Sequence, residues 1–202
     1  MFIQVIQGKV GDESALRDAM DRWEAELMPG ARGYLGTTAG MTEDGRFIAL
    51  ARFESADEAR ANSDRPEQGA WWAEMEKGFD GQPTFMDTEN VESMLDGGSD
   101  DAGFVQIMTG RSDDPTRMHQ LLTSHSDDLR QGRPEIIGGL MLEFPDGRYV
   151  DAIYFASEQE ARQGEAMEPP ESVRADLDEA MRLMGDVTYY DLKDPQLVTA
   201  RG

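Results

Sequence analysis

The chain is written twice. Phe2-Ile3-Gln4-Val5-Ile6 returns as Phe104-Val105-Gln106-Ile107-Met108, Asp44-Gly45-Arg46-Phe47 as Asp146-Gly147-Arg148-Tyr149, and Ser55 with Glu58-Ala59-Arg60 as Ser157 with Glu160-Ala161-Arg162. All three pairs are displaced by 102 positions, and no insertion or deletion is expected to interrupt that offset. A period this long that occurs only twice is not a solenoid, whose shorter units need several neighbours to bury a core. It is a duplicated domain, read here as module one over 1–95, a linker over 96–102 and module two over 103–202. Roughly 100 residues per module is a common domain size and allows each its own core.

Within module one, Phe2 to Lys9 is rich in β-branched and aromatic residues and suits a strand. Asp12 can cap a helix carrying Leu16, Ala19, Met20, Trp23 and Leu27 at spacings of three and four, which Pro29-Gly30 stops. Strands over 32–42 and 46–53 follow, joined at Asp44-Gly45, a strong hairpin signal. Ser55-Ala56-Asp57-Glu58 is a capping box that opens a second helix, and Ser63-Asp64-Arg65-Pro66 breaks and restarts it. Trp71, Trp72, Met75 and Phe79 lie on the continuation, and 84–89 is a last strand. Module two repeats the order, with strands at 104–110 and 186–192, a helix from Asp114-Pro115, a hairpin at Asp146-Gly147 and a split helix at Pro169-Pro170. The order is βαββαβ, the ferredoxin-like split unit.

A sheet with helices on one side and water on the other should alternate apolar with polar residues. In 46–53, however, Phe47, Ala49, Ala51 and Phe53 take one face while Ile48 and Leu50 take the other. Both faces must be covered, and the second module is the expected cover. The expected fold is therefore α+β: two tandem ferredoxin-like modules packed sheet to sheet as an intrachain barrel.

The net charge is -22, from 41 acidic against 19 basic residues, spread over both copies. Such a surface repels phosphate backbones and anionic lipid, so neither nucleic acid nor a membrane is an expected partner. There is no cysteine, which excludes thiol catalysis, disulfides and thiolate metal sites. With no signal-peptide pattern and no apolar stretch long enough to span a bilayer, the expected location is cytoplasmic, and the expected state a monomer or homodimer.

On these residues the chain resembles the dimeric α+β barrel superfamily, and within it the antibiotic-biosynthesis-monooxygenase-like proteins, as a tandem fusion. The likeness rests on the βαββαβ order, the duplicated Asp-Gly-Arg hairpin, the strand ending Arg52-Phe53-Glu54-Ser55, and Asn62-Ser63-Asp64-Arg65-Pro66 leading into Trp71-Trp72. It implies a pocket between sheet and helices that takes a small aromatic or polyketide-like molecule, and oxygen chemistry without a cofactor. Catalytic Asn and Trp residues of such enzymes match Asn62 and Trp71 or Trp72, the Asn steadying an oxyanion or peroxide and the Trp walling the ring. The plainer alternative makes Trp71, Met75 and Phe79 a core stripe and Asn62 a helix end. At the matching positions module two has Gly164, Val173 and Arg174, so a site of this kind belongs to module one, with module two mainly structural.

Gln4 and Gln106 stand at the same place in the two first strands, either lining pockets or bridging strands. Trp23 and its counterpart His125 should face the sheet, completing the candidate substrate-binding set. The resemblance also makes His125 a possible haem ligand or general base; a core histidine bonded to backbone is the simpler alternative. His119 matches Arg17 and is expected on the surface, and acidic pairs such as Glu24 with Glu26 or Asp127 with Asp128 read as solvated faces. A non-catalytic module whose pockets are filled by side chains is the competing reading of the whole chain.

Overall fold

The computed structural model describes residues 1–95, 97–98, 100–124 and 131–200. It consists of two compact units, one formed by Met1–Glu89 with Pro195–Gly202 and the other by Asn90–Asp194. Each unit is built on a five-stranded antiparallel sheet, and the described residues form six α-helices, as expected of a duplicated α+β fold. None of these helices is long and apolar enough to cross a membrane.

In the first unit, β1 (Phe2–Lys9), α1 (Glu13–Arg22), β2 (Tyr34–Met41), β3 (Arg46–Phe53), α2 (Ala56–Ser63), α3 (Pro66–Met75) and β4 (Thr84–Thr88) follow one another. Local chemistry sets these limits. The Asp12 carboxylate accepts the Ala15 N–H at 3.0 Å, and Ser55 Oγ accepts the Glu58 N–H at 3.2 Å. Pro66 sits in the first turn of α3, where its missing N–H leaves no helical bond unmade. Gly45 takes φ +77° in the β2–β3 turn, a conformation that a Cβ would strain.

In the second unit, β5 (Val91–Leu95) precedes β6 (Phe104–Arg111), α4 (Pro115–Thr123), β7 (Ile136–Glu143), β8 (Arg148–Phe155), α5 (Glu158–Glu165), α6 (Glu171–Met184) and β9 (Thr188–Leu192). The final strand, β10 (Gln196–Thr199), belongs to the other sheet. The strand orders are β10-β2-β3-β1-β4 and β5-β7-β8-β6-β9. Each repeat thus gives its last strand to the other repeat's sheet, and neither of these two edge strands is anticipated from the repeat. The boundaries that follow the sheets, at 89/90 and 194/195, differ for that reason from those that follow the repeat. The constant offset also ends before the last strands. Ile3 pairs with Thr88 and Val105 with Leu192, equivalent partners 104 positions apart, so two extra residues have entered the second copy after α5.

In the first unit Leu16 and Ala19 of α1 and Trp71 and Met75 of α3 pack with Ala39, Phe47 and Ala49 on one face of the sheet. Ile3, Val5, Ile48 and Leu50, in the alternate register, are fully buried as well. The two-faced reading of these strands therefore holds.

The expectation for His119 does not. It is 1 % exposed, with Nδ1 3.0 Å from Glu143 Oε1 and Nε2 2.9 Å from Asp151 Oδ1. Asp151 is wholly buried at the place in β8 that Ala49 holds in β3, and a carboxylate there demands a counter-charge. His119 borders the inward stripe of Met118, Leu121 and Leu122, so α4 can turn it toward the sheet to supply one. The Asp151 contact lies off the hydrogen-bond direction, leaving both carboxylate oxygens and Nε2 without an aligned hydrogen bond, and is chiefly ionic. Asn90 Nδ2 and Thr116 Oγ1 each donate to Glu143 Oε2 at 2.8 Å and hold that carboxylate in place.

Burial opposes charge on His119, but the contacts with Asp151 and then Glu143 outweigh it and raise the imidazole above its ordinary 6.5. Burial likewise raises Asp151, against the opposing pull of His119. Both groups hold protons more tightly in the folded state. The His119 contribution is complete below pH 6.5 and is lost as pH rises through the folded value, and the Asp151 shift has the same sign. Chemical denaturation of the protein should show stability falling from pH 6 to pH 9, with a shallower fall in an Asp151→Ala/His119→Leu double variant. His119→Ala alone, which strands two carboxylates, should cost about 3–5 kcal/mol near neutrality, and the double variant far less.

Candidate functional site

A cavity of about 330 Å³ lies in the first unit between its sheet and its helices. Its floor is made by the small residues Thr37 and Ala39 of β2 and Ala49 and Ala51 of β3. Its walls are aromatic: Trp23, Tyr34, Phe53, Trp71, Trp72 and Phe85. Trp23 meets Tyr34 edge to face at 4.8 Å between centroids, and Trp72 meets Phe85 in the same way at 5.0 Å. Gln196 and Val198 of the exchanged strand β10 complete the lining.

Of the candidate residues, Gln4, Trp23, Asn62, Trp71 and Trp72 all line this cavity. Gln106 lies in the other unit, and His125 falls outside the described residues, as do Asp127 and Asp128. Asn62 closes α2 but is more than a helix end. Its side chain is 6 % exposed, and Oδ1 accepts a 2.8 Å hydrogen bond from Arg65 Nη1. That guanidinium group is itself anchored on the Leu27 carbonyl at 3.1 Å and on Glu67 at 2.9 Å. With the amide oxygen engaged, Nδ2 has no partner among the described residues and is the end of Asn62 left to serve a ligand.

The three indoles differ in what they have left to give. Trp71 donates its N–H to the Ala19 carbonyl at 2.7 Å, and Trp23 donates to Gln68 Oε1 at 2.8 Å. Those N–H groups hold the walls in place. Trp72 makes no hydrogen bond among the described residues, so of the three only its N–H is uncommitted. Gln4 Nε2 donates to Asp87 Oδ1 at 3.1 Å, directly across the β1–β4 pair, and leaves its amide oxygen open.

Three contributors were missed by sequence reasoning: Arg65, Gln68 and Glu24. Arg65 and Gln68 carry no pattern beyond standing near the helix break. Glu24 did carry a signal, four residues after Met20 and three before Leu27, on the inward stripe of the helix. It lines the cavity and is half-buried, whereas Glu26 is exposed. Trp23–Leu27 forms a π-helical turn closed by the Met28 N–H on the Trp23 carbonyl, a rare geometry that often marks functional positions.

The second unit carries different residues at the corresponding positions. Met141 and Ile153 replace Ala39 and Ala51, and both are buried in a cluster with Met94, Phe104 and Phe155. At Gly164, the counterpart of Asn62, a Cβ would run into the Arg133–Glu135 ion pair. Gln106 spends both amide hydrogens, on Asp191 at 3.0 Å and Glu165 at 3.3 Å, and Arg162 pairs with the same two carboxylates. An empty apolar volume costs about 24 cal/mol per Å³, so 330 Å³ corresponds to at most about 8 kcal/mol, comparable with the stability of a whole domain. Solvent reaching the cavity reduces that figure. Larger side chains would remove the cost. Grafting those residues as Ala39→Met/Ala51→Ile should leave the melting temperature equal or higher. It should also weaken quenching of tryptophan fluorescence by 2-naphthol at least tenfold in apparent affinity.

No protein-family profile matches this sequence, and no curated protein resembles it significantly. Solved structures do share its fold. A provisionally designated monooxygenase from Fusobacterium nucleatum superposes over 100 % of this chain and 95 % of its own, with a TM-score of 0.79 at 9 % identity. A second protein of the same designation, from Lactobacillus acidophilus, covers 98 % of this chain and 95 % of its own, with a TM-score of 0.72 at 10 % identity. An anthrone oxidase-like protein covers 98 % and 91 %, with a TM-score of 0.70 at 10 % identity. Over its whole length the chain therefore has the duplicated ferredoxin-like α+β fold of these oxygenase-designated proteins.

Proposed function

We propose that the first unit is a cofactor-independent oxygenase site for a small aromatic or polyketide-like molecule, and that the second unit is mainly structural. The observation that carries this reading is a cavity with aromatic walls, lined by the buried Asn62, whose amide oxygen is held by Arg65. Asn62 is held by Arg65 at its oxygen, so its N–H groups are pre-aimed and need no reorganisation when charge develops. The walls suit a planar ring system, and the small floor gives it depth.

The chemistry is that of an acidic benzylic methylene flanked by phenol and ketone groups. Loss of a proton to solvent gives a delocalised oxyanion, which Asn62 steadies, and the peroxide formed later takes a proton back from solvent. Electrons pass from that anion to molecular oxygen, a carbon–oxygen bond forms, and the hydroperoxide loses water to leave a new carbonyl. The balance is one methylene plus O₂ giving one carbonyl plus water, with every electron supplied by the substrate. Within this scheme Trp71 and Trp72 act as ring walls, with the Trp72 N–H available to a substrate oxygen.

A binding protein without catalysis is the second reading, favoured by the absence of histidine and of any acid–base pair from the cavity lining. Oxygen consumption separates the two. With 1,8-dihydroxyanthrone as probe, the protein should accelerate oxygen uptake above the spontaneous rate. Asn62→Ala should lower kcat/KM about 10²-fold, the usual loss for one oxyanion donor, while the melting temperature moves by only a few degrees. Undiminished uptake in that variant removes Asn62 from the mechanism, and no acceleration by the parent protein favours the binding reading.

A further inference from the structure

Among the described residues that line the cavity, Glu24 is the one charged side chain, and none is lysine, arginine or histidine. It makes no hydrogen bond or ion pair among the described residues. Arg65 is engaged by Asn62, Glu67 and the Leu27 carbonyl, and Arg17 by Glu13. Half-buried on the inward stripe of the helix, the Glu24 carboxylate lines the same cavity as the indoles and offers a cationic group a partner there.

The π-helical turn is an independent observation at the same residues. It spans Trp23–Leu27 and brings the consecutive pair Trp23 and Glu24 to the cavity, while Glu26 on the same turn stays exposed. Aromatic faces beside a carboxylate attract organic cations, the rings through their quadrupoles and the carboxylate through its charge. The second copy has serine at the matching position 126, so the acid is peculiar to the cavity-bearing copy. Charge on the whole molecule, -22, draws cations toward it as well.

From this arrangement we infer that the ligand of the first unit is an aromatic amine, its ring between the tryptophans and its protonated nitrogen on Glu24. The inference rests on the proposal that this cavity binds a small aromatic molecule, and it adds the charge class: cationic before neutral, neutral before anionic.

The test uses three probes of one ring and graded charge, 2-(1-naphthyl)ethylamine, 2-(1-naphthyl)ethanol and 1-naphthylacetate, titrated calorimetrically into the full chain at moderate salt. The ammonium should bind at least tenfold more tightly than the alcohol, and the carboxylate should bind worst. Glu24→Gln should bring the amine to the affinity of the alcohol and leave the alcohol unchanged, whereas Glu26→Gln should alter neither. A carboxylate that binds as well as the amine overturns the inference while sparing the site. So does an equal response to Glu26→Gln, since the preference would then belong to general surface charge. Binding of none of the three overturns the inference together with the cavity reading beneath it.

Discussion

Everything particular to the first unit depends on the size of four side chains. Thr37, Ala39, Ala49 and Ala51 lie on the helix-facing side of β2 and β3, between the bulk of Tyr34 and Phe53 toward one end and Phe47 toward the other. Interiors normally pack to the density of organic crystals, so a gap between sheet and helices persists only where something prevents collapse. Here the helices are held off by the walls themselves. Trp71 is fastened to the Ala19 carbonyl and Trp23 to Gln68, tying α1 to α3 across the opening. Small floor residues and fastened indoles are two halves of one device.

The second unit runs the same backbone the other way. Met141 and Ile153 stand where the first unit has Ala39 and Ala51, an arginine–carboxylate network surrounds Gln106, and the inward face accepts a charge that the first unit does not carry. Asp151 needed a cation, and His119 was within reach on α4. Burying such an ion set is a poor source of stability compared with apolar packing, and its directional contacts specify one arrangement of α4 on β7 and β8. The two copies thus differ most on the helix-facing side of their sheets.

How legible this was in the sequence follows from which forces write themselves into residue patterns. Caps, hairpin glycines and the helix break at Pro66 depend on local chemistry and were read close to their observed limits. Of the seven candidate residues, read from family likeness and strand register, Gln4, Trp23, Asn62, Trp71 and Trp72 line one cavity, Gln106 lies in the other unit and His125 is outside the described residues. The exchanged strands were not visible, because β5 and β10 are short edge strands held by backbone hydrogen bonds that almost any side chains allow. His119 was misplaced because its burial depends on Asp151, thirty-two positions away in sequence and adjacent only after folding. Glu24 shows the opposite failure: its helical position pointed inward, and its charge argued outward.

The exchange of end strands also sets an order of assembly. By composition the chain is a tandem repeat, but by topology the second unit is an insertion within the first, uninterrupted from Asn90 to Asp194. Domains made on the ribosome usually mature from the N-terminus onward. Here the residues that open the sequence belong to a sheet whose edge is supplied by Gln196–Thr199, and the cavity they line takes two of its residues from that strand. The unit that begins first is therefore the one that finishes last, and its cavity is complete only once Gln196–Thr199 has been made and has paired with β2.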